Sequence, residues 1–312
     1  MKRLAVLILI VAASGAALYY AQHHKVETPV GPQAVVNALA DTQREISRLP
    51  AGLMRLSDAD EARIGDAMAE RYLAGTSSSA TDAKLADYIS TVGKAVAAHA
   101  RRKLDYRFHY LPDTGLVNAF ALPGGHVFIG KGMLLLMDSE DELASVLGHE
   151  VEHVDNYHCN DRVALESRLH NLPLVGLVAL PVELFQAGYG KEQELEADRD
   201  GIRLAVEAHY SPQGALRMFQ TFARLHREYV TKAQNPGQEL SQVAIDGIMG
   251  YFRSHPLPSE REAQVLRLMK SQNWPQPAER AMQVKPEKDR TSSTSSRATS
   301  HVIGLILGRE PR

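Results

Sequence analysis

SEDELASVLGHEVEHVDNYHC, residues 139–159, decides how this chain is read. Ser139 stands three residues before Glu142, the spacing at which a serine side chain and a glutamate side chain cap each other's backbone N–H groups at a helix start. Leu143, Val146 and Leu147 then recur at helical spacing and supply a core-facing stripe. The spacing predicts a helix from about Ser139 to about His170. His149 and His153 are four apart on it, one turn above the other on one face. Both can therefore aim a ring nitrogen at one ion, at the ~2.0–2.1 Å that zinc–imidazole bonds require. Glu150 turns toward the same cleft, where it can take a proton from a water the ion activates.

Zinc in a catalytic site needs a third protein ligand. One common scheme takes a histidine six residues beyond the second, after a glycine bend. Here those places hold Cys159 and Asn156; His158 is one place off and no glycine turns the chain. His158 and Cys159 thus fall outside the expected ligand set, and Cys159 reads as a buried bystander. A second scheme takes a glutamate from a later helix. ELEAD, residues 194–198, offers Glu194, with Asp198 four residues on and able to accept the outer N–H of a ligand histidine. Glu192 and Glu196 compete for the role, although Glu196 lies about 200° around a helix from Glu194.

Around this centre the pattern is mostly helical. Ser57 is a plausible cap for a helix over SDADEARIGDAMAERYLAG, and Leu85, Tyr88, Ile89, Val92 and Val96 give helical periodicity to residues 82–100. Residues 105–112 alternate as a strand does, and two more strands flank the Pro-Gly-Gly turn at 123–125. The apolar run 172–187 is interrupted by Pro173 and Pro181, is too short to span a bilayer and reads as buried core. Further helices are expected after Gly190 and over 212–228 and 258–270. The fold class is α+β, mainly helical.

The 312 residues are 44% hydrophobic and carry a net charge of −2, enough for a sizeable core and without the basic excess of a nucleic-acid binder. Lys2 and Arg3 precede the apolar run Leu4–Ala21, the arrangement of a secretory signal or an N-terminal membrane anchor. Residues 1–21 are so assigned, with export to the periplasm, free or tethered, as the expectation. Residues 22–55 read as a linker, 56–280 as the main domain and 281–312 as a disordered Ser/Thr-rich tail. One cysteine excludes an internal disulfide framework.

Four segments together resemble a known family: VNAFALPGGHVFIGKGML (117–134), ELASVLGHEVEHV (142–154), ELEADRDGI (194–202) and HPLPSER (255–261). In this order they are similar to the gluzincin metallopeptidases of family M48, especially a periplasmic beta-barrel assembly-enhancing subgroup, over about Leu56 to Leu268. The resemblance implies a zincin-like domain with a small β-sheet beside the motif helix, and one zinc ion held by His149, His153 and Glu194. It implies Glu150 as general base and acid and Asp198 as the partner behind a ligand histidine. His255 matches a histidine that can take the water's place on the metal and hold the enzyme latent. Asn118 and Ala119 match the edge-strand segment that pairs with substrate backbone. Tyr251 and His126 are candidates to steady the oxyanion. The helical-repeat domain of that subgroup and the membrane body of the prenyl-protein proteases are not expected. The implied function is a zinc endopeptidase acting on unfolded or misassembled cell-envelope proteins. The alternative is a zinc-bound, silent chaperone or binding module closed by His255.

Overall fold

The computed structural model describes residues 55–74, 80–170, 172–233, 255 and 258–286. The export segment, nearly all of the linker, Tyr251 and most of the Ser/Thr tail lie outside the described residues. Among the described residues, no helix is long and apolar enough to cross a membrane.

Two helices open the fold, α1 (Asp58–Leu73) and α2 (Ala80–Ala97). The Ser57 side chain accepts from Asp60 N and caps α1 as its position in the sequence predicts. A three-stranded sheet follows: β1 (Arg107–Leu111), β2 (Ala119–Leu122) and β3 (His126–Gly130), in the order β1-β3-β2. β2 and β3 form an antiparallel hairpin with Ala119 opposite Ile129, and β1 lies parallel to β3 with Arg107 opposite His126. The turn between β2 and β3 places Gly124 and Gly125 at φ 77° and 99°, which a side chain would oppose.

The motif helix is α3 (Glu140–Asp155), and the reciprocal Ser139–Glu142 capping box is present. It is buried on nearly every face, because β2, α2 and the helices that follow pack around it. It does not run to His170. Asn156 caps it, Tyr157 takes the left-handed φ of 64°, and a new helix, α4 (His158–His170), begins. A non-glycine residue there costs roughly 1–2 kcal/mol of backbone strain, and the surroundings impose it. The Asp155 carboxylate accepts from the backbone N–H groups of Arg101 and Arg102, while Arg55 and Arg102 stack on the Tyr157 ring at 4.2 and 4.0 Å.

The run 172–187 is only half core. It forms two single helical turns, burying Leu177, Leu180, Val182 and Phe185 but leaving Val175 82% exposed. Then come α5 (Lys191–Glu207), α6 (Gln213–Ala233) and α7 (Pro258–Gln272). α5 lies along α3 with backbones touching. A Cβ on Gly148 would stand 2.5 Å from Gly201 O, and one on Gly201 would stand 2.6 Å from His149 N. Past α7 the chain returns to α3: Ala281 bridges Ser139, and Met282 is buried.

Candidate metal centre

The close crossing of α3 and α5 brings the acidic segment of one helix over the histidines of the other. His149 and His153 face each other with their Nε2 atoms 3.1 Å apart. Glu194, with no exposed surface, directs Oε2 to 3.4 Å from His149 Nε2 and Oε1 to 3.7 Å from His153 Nε2. His255 adds its Nδ1 at 2.6 Å from Glu194 Oε2. His149, Glu194 and His255 offer ligand atoms within 4.8 Å of one another, all buried.

The spacings among His149, His153 and Glu194, 3.1 to 3.7 Å, fit a tetrahedral zinc ion, whose ligands at ~2.0–2.1 Å stand about 3.3 Å apart, whereas the 2.6 Å between His255 and Glu194 is that of a hydrogen bond. The electrostatics fit a cation as well. Burial would raise the Glu194 carboxyl, but the charge of His255 and hydrogen bonds from His149 and His255 hold it well below the carboxylate range. Burial would lower the His149 imidazole, but its bonds to Asp198 and Glu194 raise it to about 10. His153 is driven well below its usual value by burial. A cluster of buried carboxylate and imidazole that demands positive charge is what a divalent ion satisfies.

Each donor is held from behind. His149 Nδ1 stands 2.9 Å from Asp198, whose two oxygens accept from Arg261 at 2.6 Å each. Tyr189 stacks on His153 with centroids 4.1 Å apart, and its backbone N–H donates to Glu194 Oε1. Glu150, 3% exposed, is raised to about 7 by burial, with no hydrogen bond contributing. Ala119, Val146, Ile202, Ala215, Met218 and Phe222, with Glu150 itself, line a mostly apolar opening beside His149.

The remaining sequence expectations sort cleanly. Asp198 lies behind His149, as its spacing suggests. Asn118 immediately precedes β2 and is 6% exposed, and its buried Oδ1 has no hydrogen-bond partner among the described residues. Ala119 begins β2, a strand paired on one side only. Glu192 is exposed and Glu196 turns away to face His158. His126 is engaged elsewhere, by Asp66 at 2.8 Å and His109 at 2.9 Å. Cys159 is fully buried against the Tyr189 hydroxyl, and burial pushes its thiol up to about 12. Arg261 and Tyr189 belong to no spacing pattern that the sequence displays. The only signal for Arg261 was its place in HPLPSER, and Tyr189 carried none.

A helix bearing His-Glu-x-x-His, a glutamate from the following long helix and a three-stranded sheet alongside define a gluzincin-type domain. The model of Peptidase family M48 matches residues 80–269, and the chain belongs to that family. Among its relatives are the beta-barrel assembly-enhancing protease of Yersinia pestis, 30% identical over 72% of this chain and 44% of that protein, and that of Escherichia coli K12, 28% identical over 67% and 43%. The mitochondrial metalloendopeptidase OMA1 of Schizosaccharomyces pombe is 29% identical over 43% of this chain and 42% of its own length. The matched region thus spans less than half the length of each of these relatives.

Proposed function

We propose that this chain is a zinc-dependent endopeptidase that cleaves unfolded or misassembled proteins of the cell envelope. The observation that carries the reading is the convergence of His149 Nε2, His153 Nε2 and the Glu194 carboxylate beside the buried Glu150. In this reading those three hold one zinc ion and residues 56–280 form the catalytic domain. The ion, when bound, polarises the scissile carbonyl and makes a water acidic. Glu150 takes the water's proton and delivers it to the leaving amine nitrogen. Burial raises its carboxyl above the usual range, which favours its holding a proton between the two steps. Asp198, fixed by Arg261, keeps the His149 Nδ1 proton in place and leaves Nε2 free to bind.

Substrate is held as an added strand along β2, which gives affinity without demanding sequence. Asn118 supports this reading, because a buried acceptor without a donor is costly and an incoming amide N–H relieves it. The opening beside Glu150 takes an apolar side chain, of the kind unfolded proteins expose. Residues 1–21 carry the chain to the periplasm and either leave it soluble or tether it to a membrane.

A second reading rests on one contact. His255 Nδ1 lies 2.6 Å from Glu194, where it would be a fourth ligand and exclude the water. The protein is then latent, or a zinc-bound chaperone module. Casein digestion separates these. The protease reading expects cleavage by the parent or by His255→Ala, and none by Glu150→Gln. Absence of cleavage by both the parent and His255→Ala would sink it. Retention of near-stoichiometric zinc by a His149→Ala/Glu194→Ala double variant would sink the ligand set.

A further inference from the structure

His153 and His158 are five residues apart, and on one continuous helix they would point about 140° away from each other. The break at Tyr157 abolishes that separation. With α3 ended at Asn156 and the chain passing through a left-handed residue, α4 starts by turning the His158 ring back, so that its Nδ1 lies 2.9 Å from His153 Nδ1. His158 is 4% exposed and its other nitrogen, Nε2, stands 3.4 Å from the Glu196 carboxylate on α5. Glu196 is half exposed, its side chain 43% accessible.

The hydrogen positions follow from one requirement. His153 directs Nε2 at Glu194 and His149, so a metal-binding His153 carries its proton on Nδ1. That N–H donates to His158 Nδ1, which must therefore present a lone pair. The proton of His158 then sits on Nε2, the atom facing Glu196. Each step fixes the next, and the series ends on a carboxylate. The two histidines of the motif are thus supported differently: His149 by Asp198 directly, His153 through a second imidazole.

We propose that His158 and Glu196 form a two-residue relay that fixes the tautomer and ring orientation of His153 and so sets how tightly the site holds zinc. The inference rests on His153 being a ligand, as proposed above. His158 is a positioning residue in it, and neither member touches substrate.

The test is zinc affinity by chelator competition, on the full chain, with the thermal midpoint of each metal-free variant recorded alongside. Losing a hydrogen-bonding partner behind a metal ligand typically costs 10- to 100-fold in affinity. His158→Ala is expected to weaken zinc by about that much. His158→Gln, whose amide accepts at one end and donates at the other, is expected to restore most of it. Glu196→Gln should weaken zinc several-fold, and the exposed control Glu192→Gln should not. Equal weakening in His158→Gln and His158→Ala would assign the effect to packing and overturn the relay. Wild-type affinity in a folded His158→Ala would overturn it too. If His158→Ala does not fold, Glu196→Gln decides, and an unchanged affinity there rejects the proposal. Zinc binding by His153→Ala as tight as the parent's is a different failure, because it removes the ligand assignment and not the relay.

Discussion

At the scale of single residues, the clearest liability is the Asp198–Arg261 pair. Both side chains are all but inaccessible, and each neutralises the other. Removing one member of a buried pair leaves an uncompensated charge and costs about 3–5 kcal/mol. Arg261→Met is therefore expected to lose stability in that range by urea unfolding and to weaken zinc binding as Asp198 loses its anchor. A loss below about 1 kcal/mol would mean that water reaches Asp198 after all. The sheet carries a second residue-scale prediction. Burial, together with the charges of His126 and Arg107, lowers His109 to about 4, and burial also lowers His126. An imidazole depressed below its unfolded value of about 6.5 favours the folded state fully above that pH. Its contribution is lost as pH falls from about 6.5 to 4, where the unfolded chain binds protons the folded chain refuses. His109→Gln should flatten the fall of the urea midpoint across that window, and parallel curves would count against it. That His149 and His153 share one face of the helix could be read from spacing alone, because helix geometry is local. Arg261, Tyr189 and the role of His158 could not, because each depends on where a turn or a distant helix brings the chain.

At the scale of elements, the site depends on how closely α3 and α5 approach. Gly148 and Gly201 permit backbone contact, and no side chain could yield if either gained a Cβ. Gly201→Ala must push the helices apart, at about 1–3 kcal/mol for an overpacked contact. It should also draw Glu194 away from His149 and His153. The expected result is a lower thermal midpoint together with at least ten-fold weaker zinc binding. A variant that loses stability but keeps full zinc affinity would show that the crossing does not set the ligand geometry. Helix starts were legible here: Ser57 and the Ser139–Glu142 box both cap as their spacing predicts. The end of α3 was not. No glycine or proline marks it, and the break is imposed by Asp155 binding the Arg101–Arg102 backbone and by two arginines stacking on Tyr157. The run 172–187 misled for a related reason. Its composition is that of core, but its prolines cut it into single turns too short to bury every apolar side chain.

At the scale of the whole molecule, sheet, motif helix and later helices together enclose the opening beside Glu150. Its walls are apolar, with Val146, Ile202, Met218 and Phe222 from three helices. Peptides with a large apolar residue next to the scissile bond are expected to be cleaved preferentially. Ala215→Met, which fills the opening, should lower kcat/KM for them at least ten-fold and leave zinc affinity unchanged. Equal losses for peptides with small and with large residues there would exclude this opening as the selective pocket. The α+β, mainly helical class was legible from periodicity. The order of the strands was not, since the parallel pairing of β1 with β3 is settled by the packing of α2 and α3 on the sheet.

The groups that meet at Glu194 come from segments far apart in the chain, and Glu194 and His255 alone are separated by 61 residues. In the latent reading, an ion bound to both would behave as a reversible cross-link. Closing a loop of that length removes disorder from the unfolded chain worth on the order of 4 kcal/mol in the chain-entropy description. Chelation would then do more than empty the proposed metal site. It would release that loop, and the protein would become a substrate for the kind of proteolysis it is proposed to perform.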